Sequence, residues 1–230
     1  MNERVKKVLA RPEVLMMGPL VSPVSGHKFP VYTAAKKIYT YPETLHVLGE
    51  ELGKLVRAAS GTKVVGGETV GIVLATAISK AMDIPMCYVR KEATQRSARF
   101  SVEGIIHPGE KVVLVDDSLV SGKTKQMFIA NIEAAGAQVT DIVVIIDVPT
   151  LTGDEYRREL AAKGIHTHAL GLWEDWFTAL YEHGHLSKAL YDIALDAARS
   201  IDSWREGASG AEDKWAWFER VKQAQGGKFV

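Results

Sequence analysis

Four consecutive aliphatic residues, Val112 to Val115, run directly into two carboxylates, Asp116 and Asp117. An unbroken apolar run of this kind suits a strand buried on both faces. Comparable runs occur in TKVVGGE (62–68), IPMCYVRKEA (84–93), DIVVIIDVP (141–149) and IHTHALGL (165–172), and each predicts a strand. Between them the apolar spacing becomes helical. TVGIVLATAISKAM (69–82), KQMFIANIEAAG (125–136, stopping at Gly136) and TGDEYRRELAAKG (152–164) predict helices.

Upstream, residues 3–10 predict a short helix ending before Pro12. Pro42-Glu43 opens a helix through Ala59, with Leu45, Leu48, Leu52 and Val56 on one face. The stretch between, VLMMGPLVSPVSGHKFPVYTAA, alternates short apolar runs with Gly and Pro. It predicts a small hood of loops and short strands, about residues 12–40, rather than core sheet. From Trp173 onward the pattern predicts helices only, with a flexible break at 203–214 and a short last helix, WAWFERVKQAQ. Residues 92–110 are polar and irregular, which suits a functional loop.

Strands alternating with helices predict an α/β fold: a doubly wound, mainly parallel sheet with helices on both faces. In such sheets ligands bind beyond the carboxyl ends of the strands. Three polar groups should converge there: Gly66-Gly67-Glu68, Arg90-Lys91 and Asp116-Asp117.

Composition narrows the class. The 230 residues allow one large α/β domain, or one with a small appendage, and 47% hydrophobic content supports a sizeable core. The formal net charge of +0 gives no basic field for nucleic acid. Cys87, the one cysteine, lies in an apolar run and excludes an intramolecular disulfide. No apolar run reaches the length of a membrane span, and the first residues lack the apolar centre of a signal peptide, so a cytoplasmic protein is expected.

The stretch VVLVDDSLVSGKT (112–124) carries the chemistry. Backbone N–H groups of a loop and helix start hold a phosphate, helped by the helix dipole. Ser121 and Thr124 add hydroxyl donors. The two Asp repel phosphate and suit ribose hydroxyls or a hydrated Mg²⁺ instead. A ribose 5-phosphate satisfies both halves. An ATP-binding P-loop is rejected, because it needs Gly where Asp117 stands. An incidental acidic pair on a plain strand–loop–helix is the bland alternative.

This stretch resembles, position by position, the 5-phosphoribosyl-1-pyrophosphate (PRPP) motif of the type I phosphoribosyltransferases. SGHKFPVYTAAK, VVGGETVGIVLATAIS and YVRKEA further resemble the hood segment, pyrophosphate loop and Arg-Lys segment of the orotate phosphoribosyltransferase branch. The likeness covers about residues 20–150. It implies a phosphoribosyltransferase-like domain over 1–172, with 173–230 as a helical extension packed on it. It implies attack of a nitrogenous base on C1 of PRPP, loss of pyrophosphate, Mg²⁺ as cofactor and a homodimer, with no nucleic-acid or membrane partner.

Residue by residue, the resemblance implies Asp116 and Asp117 at the ribose and Mg²⁺, directly or through water. Ser118, Leu119, Val120, Ser121, Gly122, Lys123 and Thr124 would hold the 5-phosphate. Gly67, Glu68, Arg90 and Lys91 would serve the pyrophosphate, and Tyr32, Val120 and Val148 would line the base pocket. From their place in the polar loop, Arg96 and Arg99 are catalytic candidates that would close over the leaving group, with plain solvated charges as the equal alternative.

The chain also departs from the branch pattern. Thr94 and Arg96 stand where the family has loop Lys and His, Val24 where it has a hood Lys, and Val70 where its pyrophosphate loop has Lys. Val120 replaces a Thr that contacts orotate, and Val148 an Arg that pairs with the orotate carboxylate. Losing that Arg removes a charge-assisted bond worth on the order of 1.5–3 kcal/mol, so a neutral or more apolar base is expected. The alternative on the same fold is a non-catalytic PRPP- or nucleotide-binding regulator. A DNA-binding repressor lacks its basic stripe, and a hydrolase lacks a dedicated nucleophile. Histidines 166, 168, 183 and 185 do not make a structural metal site. The aromatics after Trp173 suit helix packing or a dimer contact better than base stacking.

Overall fold

The computed structural model describes residues 1–21, 28–91 and 101–225. The candidates Val24, Thr94, Arg96 and Arg99 lie outside the described residues.

A six-stranded sheet forms the centre, in the order β5-β4-β3-β6-β7-β8. Its strands are β3 (Lys63–Gly67), β4 (Met86–Val89), β5 (Val102–Glu103), β6 (Lys111–Leu119), β7 (Gln138–Asp147) and β8 (His166–Leu172). All neighbours run parallel except β4 and β5. The fold is therefore the α/β, mainly parallel type expected. The antiparallel edge strand β5 was not legible, because two residues carry no periodicity.

Alternation along the strands divides the core. Val113 and Val115 of β6, with Val143 and Ile145 of β7, join one buried cluster with the helices α2 (Pro42–Ala58) and α3 (Val70–Met82). Val112, Leu114, Ile142 and Val144 join the other, beneath α4 (Lys123–Ala134) and α5 (Leu151–Ala162). Each fully buried Val or Leu stabilises the fold by roughly 1.5–3 kcal/mol relative to exposure. Cys87 is buried in the second cluster.

α2 buries a face rotated from the expected one. Leu45 is only half-buried, whereas Thr44 and Glu51 are buried alongside Leu48 and Leu52. The reason is α1 (Glu3–Leu9), which packs on α2. Thr44 Oγ1 donates to Val8 O at 3.1 Å, and Glu51 accepts from Asn2 Nδ2 at 2.9 Å and Lys54 Nζ at 2.7 Å.

The hood is an antiparallel pair, β1 (Leu15–Val21) and β2 (Lys28–Thr33), followed by a 3-10 segment, Ala35–Thr40. α6 (Trp173–Glu182) and α7 (Lys188–Arg199) pack on the N-terminal elements. Trp173 Nε1 donates to Thr33 Oγ1 at 3.0 Å, and Trp176 Nε1 to Leu9 O at 2.8 Å. These indoles are buried, as are Phe177, Trp204 and Phe218, so the aromatics serve packing. The expected break at 203–214 is shorter than its composition suggests. Ile201–Trp204 forms a 3-10 turn anchored by buried Trp204, and α8 (Ala211–Ala224) starts at Ala211. No helix among the described residues is long and apolar enough to cross a membrane.

Candidate functional site

Strand β3 leads through α3 to β4 on one side, while β6 lies on its other side. The strand order reverses between β3 and β6, and a crevice opens at such a switch point beyond the carboxyl ends of the strands. Gly67-Glu68 and Asp116–Leu119 flank it.

β6 runs through both carboxylates to Leu119, and α4 begins at Lys123. The loop expected over 118–124 is thus confined to Val120, Ser121 and Gly122. This changes the acidic pair, because successive side chains of a strand point to opposite faces. Asp116 follows Val112 and Leu114 toward α4. Asp117 follows Val113 and Val115 toward the hood.

Asp116 is buried. Its Oδ1 accepts the Asp117 N–H at 3.0 Å, and its Oδ2 accepts Lys125 Nζ at 2.5 Å. Lys125 is also buried and comes from the first turn of α4. Burial pushes the Asp116 carboxyl above the usual carboxylate range; the Lys125 ammonium opposes that push and the Asp117 charge adds to it. Asp117 is half-buried, and its Oδ1 accepts the Ser118 hydroxyl at 3.2 Å. Its Oδ2 faces no donor among the described residues.

The start of α4 fits an anion. Gly122 adopts φ 78°, and a Cβ there would lie 1.8 Å from Tyr156 Cδ1, so glycine is required on both counts. No side chain caps the helix, and its first N–H groups have no intrahelical acceptor. Lys123 and Lys125 both occupy the first turn, where the helix dipole disfavours cations. Asp116 balances Lys125; exposed Lys123 has no such partner among the described residues. Ser121 and Thr124 are half-buried beside this turn.

The expected pyrophosphate group is arranged differently. A Cβ on Gly66 would lie 2.4 Å from Gly71 O, and one on Gly67 would lie 2.5 Å from the Phe128 ring. Both glycines are therefore needed to pack β3 against its helices, which a sequence pattern cannot separate from anion approach. Glu68 accepts the Lys91 N–H at 2.9 Å and donates its own N–H to Val89 O at 2.9 Å, tying β3 to β4. Arg90 donates to Tyr88 Oη at 3.3 Å and pairs with Glu103 at 3.3 Å. Its Nε is buried without a partner among the described residues. Lys91 is exposed.

On the base side, Tyr32 is 51% and Val120 41% exposed. Val148 is instead buried in the core, with its N–H donated to Leu119 O at 2.9 Å, so it does not line an open pocket. Leu151, beyond the end of β7, and Leu172, the last residue of β8, are exposed apolar residues on that side.

Two residues of this region escaped the sequence reading. Lys125 stands in a stretch predicted only as helix, with no partner visible in the sequence. Arg157 of α5 pairs with Asp147 at the end of β7, donating from Nε at 3.1 Å, and reaches Asp154 at 2.8 Å and Val148 O at 3.2 Å. Its spacing from Asp154 was a visible i,i+3 signal; its reach to Asp147 was not.

Among the described residues no group of three or more His, Cys, Asp or Glu could hold a metal ion. His168 Nε2 pairs with Asp141 at 2.8 Å at the start of β7, away from the acidic pair.

Fold and site together define an α/β domain in which an uncapped helix start and an acidic strand end meet at the switch point of the sheet. The family model described as the phosphoribosyl transferase domain matches residues 34–167. The chain belongs to that family, and within it resembles the orotate phosphoribosyltransferase branch. It is 30% identical over 155 residues to the orotate phosphoribosyltransferase of Dinoroseobacter shibae, covering 66% of this chain and 68% of that one. The fold is similar to UMP synthase of Leishmania donovani, with a TM-score of 0.73 at 24% identity over 84% of this chain and 41% of that longer one. It is likewise similar to orotate phosphoribosyltransferase of Aeropyrum pernix, with a TM-score of 0.63 at 24% identity over 80% and 99%.

Proposed function

We propose that the chain moves the 5-phosphoribosyl group of PRPP to a neutral nitrogenous base and releases pyrophosphate. The observation that carries this is the uncapped start of α4, with Ser121, Thr124 and Lys123 around it and Asp117 on the adjoining strand. One end suits the 5-phosphate and the other a sugar hydroxyl. Arg90, whose Nε has no partner among the described residues, is proposed to donate to an anionic leaving group. Arg96 and Arg99 are proposed to complete the charge around it.

Mg²⁺ fits this set in part. Both Asp116 oxygens are already hydrogen-bonded, one of them to an ammonium, so Asp117 is the residue that would hold a hydrated ion. Bound there, the ion would neutralise charge on the departing pyrophosphate. A homodimer is proposed with it, on the likeness to the family.

The neutral base follows from the mouth of the site. The Val120 side chain offers no donor, and Arg157 already serves two carboxylates, Asp147 and Asp154. An anionic base would meet net negative charge there. A competition between orotate and neutral bases, with PRPP and Mg²⁺ limiting, tests this. Preferential conversion of a neutral base is expected, and preferential conversion of orotate would overturn it. A second reading, a PRPP-binding regulator without turnover, draws on Arg90 being held by Tyr88 and Glu103.

A further inference from the structure

Tyr39 belongs to the 3-10 segment that joins the hood to α2. Its hydroxyl is buried and has no hydrogen-bond partner among the described residues. Leaving such a group unpaired has a cost on folding, so an orphan hydroxyl in a well-packed region points to a partner that arrives with the ligand. The surroundings say where. Tyr39 packs on the cluster containing Val113 and Val115, the β6 residues that share a face with Asp117. Its segment also touches α3, whose Gly71 lies so close to β6 that a Cβ would come within 2.2 Å of Val115 O. The hydroxyl thus lies on the Asp117 side of the sheet, within reach of the charges of Asp117 and Asp116.

We propose that Tyr39 is a sugar-reading residue, donating a hydrogen bond to a pentose hydroxyl that in turn donates to Asp117. This rests on the phosphoribosyl reading and deepens it. Asp116 turns to the other face and spends an oxygen each on Lys125 and the Asp117 N–H, so one carboxylate faces the sugar from this side. An acceptor-only carboxylate and a phenol donor are matched by a ligand hydroxyl between them, which both gives and takes a proton in hydrogen bonding. Burial, and then the charges of Asp117 and Asp116, push the Tyr39 phenol well above its ordinary range. It therefore stays a neutral donor across the working pH range. The side chain reads the sugar and exchanges no proton with it.

The test is Tyr39→Phe, which removes one oxygen and leaves the ring. Calorimetry would measure binding of PRPP, ribose 5-phosphate and inorganic pyrophosphate, each with Mg²⁺. The variant should bind PRPP and ribose 5-phosphate about threefold to tenfold more weakly. Pyrophosphate binding and the melting temperature of the free protein should not fall. The penalty should disappear with 2-deoxyribose 5-phosphate or with the 3-deoxy sugar, which identifies the hydroxyl read. Unchanged affinity for PRPP would overturn the assignment of Tyr39 alone. So would an equal loss of pyrophosphate binding, or a penalty that persists with both deoxy sugars. Failure of the unaltered protein to bind either PRPP or ribose 5-phosphate would overturn the phosphoribosyl reading itself, and this inference with it.

Discussion

Lys125→Met removes the cation that faces Asp116 and keeps most of the side-chain volume. Both partners are buried, with side-chain exposures of 8% and 8% and a separation of 2.5 Å. Breaking a buried pair by deleting one partner costs about 3–5 kcal/mol, against a total stability on the order of 5–15 kcal/mol. For a chain of this size that lowers Tm by roughly 6–20 °C. The loss should depend on pH in a particular direction. An unfolded Asp titrates near ~3.9. In the folded variant, burial and the Asp117 charge both push Asp116 upward, with no ammonium to oppose them. Folded protein then holds a proton that unfolded protein has released, so stability falls as pH rises above about 4, by up to about 1.4 kcal/mol per pH unit. The fall ends once pH passes the raised folded value. Urea unfolding followed by tryptophan fluorescence at pH 4, 6 and 8 measures this. The difference from the unaltered protein should be small at pH 4 and near its full size at pH 8. Asp116→Asn combined with Lys125→Met should recover most of it. A loss under about 1 kcal/mol at pH 8, the value typical of exposed pairs, or a loss constant across pH, would refute the buried pairing.

Gly67→Ala should destabilise the fold through its clash with Phe128, and adding Phe128→Leu should restore Tm and PRPP binding together; restored Tm without binding would assign Gly67 to anion approach instead. Gly122→Ala should lower stability by more than about 1 kcal/mol, since it meets both a positive φ and the Tyr156 ring, and an unchanged Tm would contradict that geometry. Trp173→Phe deletes the bond to Thr33 and should cost about 1 kcal/mol while making the hood more readily cleaved in limited proteolysis. Burial alone would raise Asp141, but hydrogen bonds from His168, Thr140 and the Ser60 N–H outweigh it and hold the carboxyl low. That stability is present above about pH 4 and lost as pH falls through the lowered value, so Asp141→Asn should flatten the acid side of the stability profile.

The sheet was legible because its buried strands are nearly pure aliphatic runs, and Val112–Val115 or Ile142–Ile146 admit few other readings. The acidic pair was equally plain, but its division was not. Which face each Asp takes depends on where β6 ends, and the strand runs three residues past Asp116, to Leu119. Lys125 could not be seen as a core residue, since lysine on a helix is ordinarily solvated and only the neighbouring strand reveals its partner. Gly66 and Gly67 carry the same letters whether they admit a phosphate or a phenylalanine ring. Trp204 shows the same limit from the other side: a polar stretch that reads as flexible is pinned by one buried indole that donates to Asp196 at 2.8 Å.

The central claim is tested most directly by pyrophosphate release from PRPP and Mg²⁺ with a panel of bases that includes orotate, uracil, the purines and nicotinate-like acids. Release that depends on a neutral base, with the matching nucleoside monophosphate formed in equal amount, is the predicted result. Saturable PRPP binding with no release for any base would contradict a transferase and leave a binding protein on the same fold.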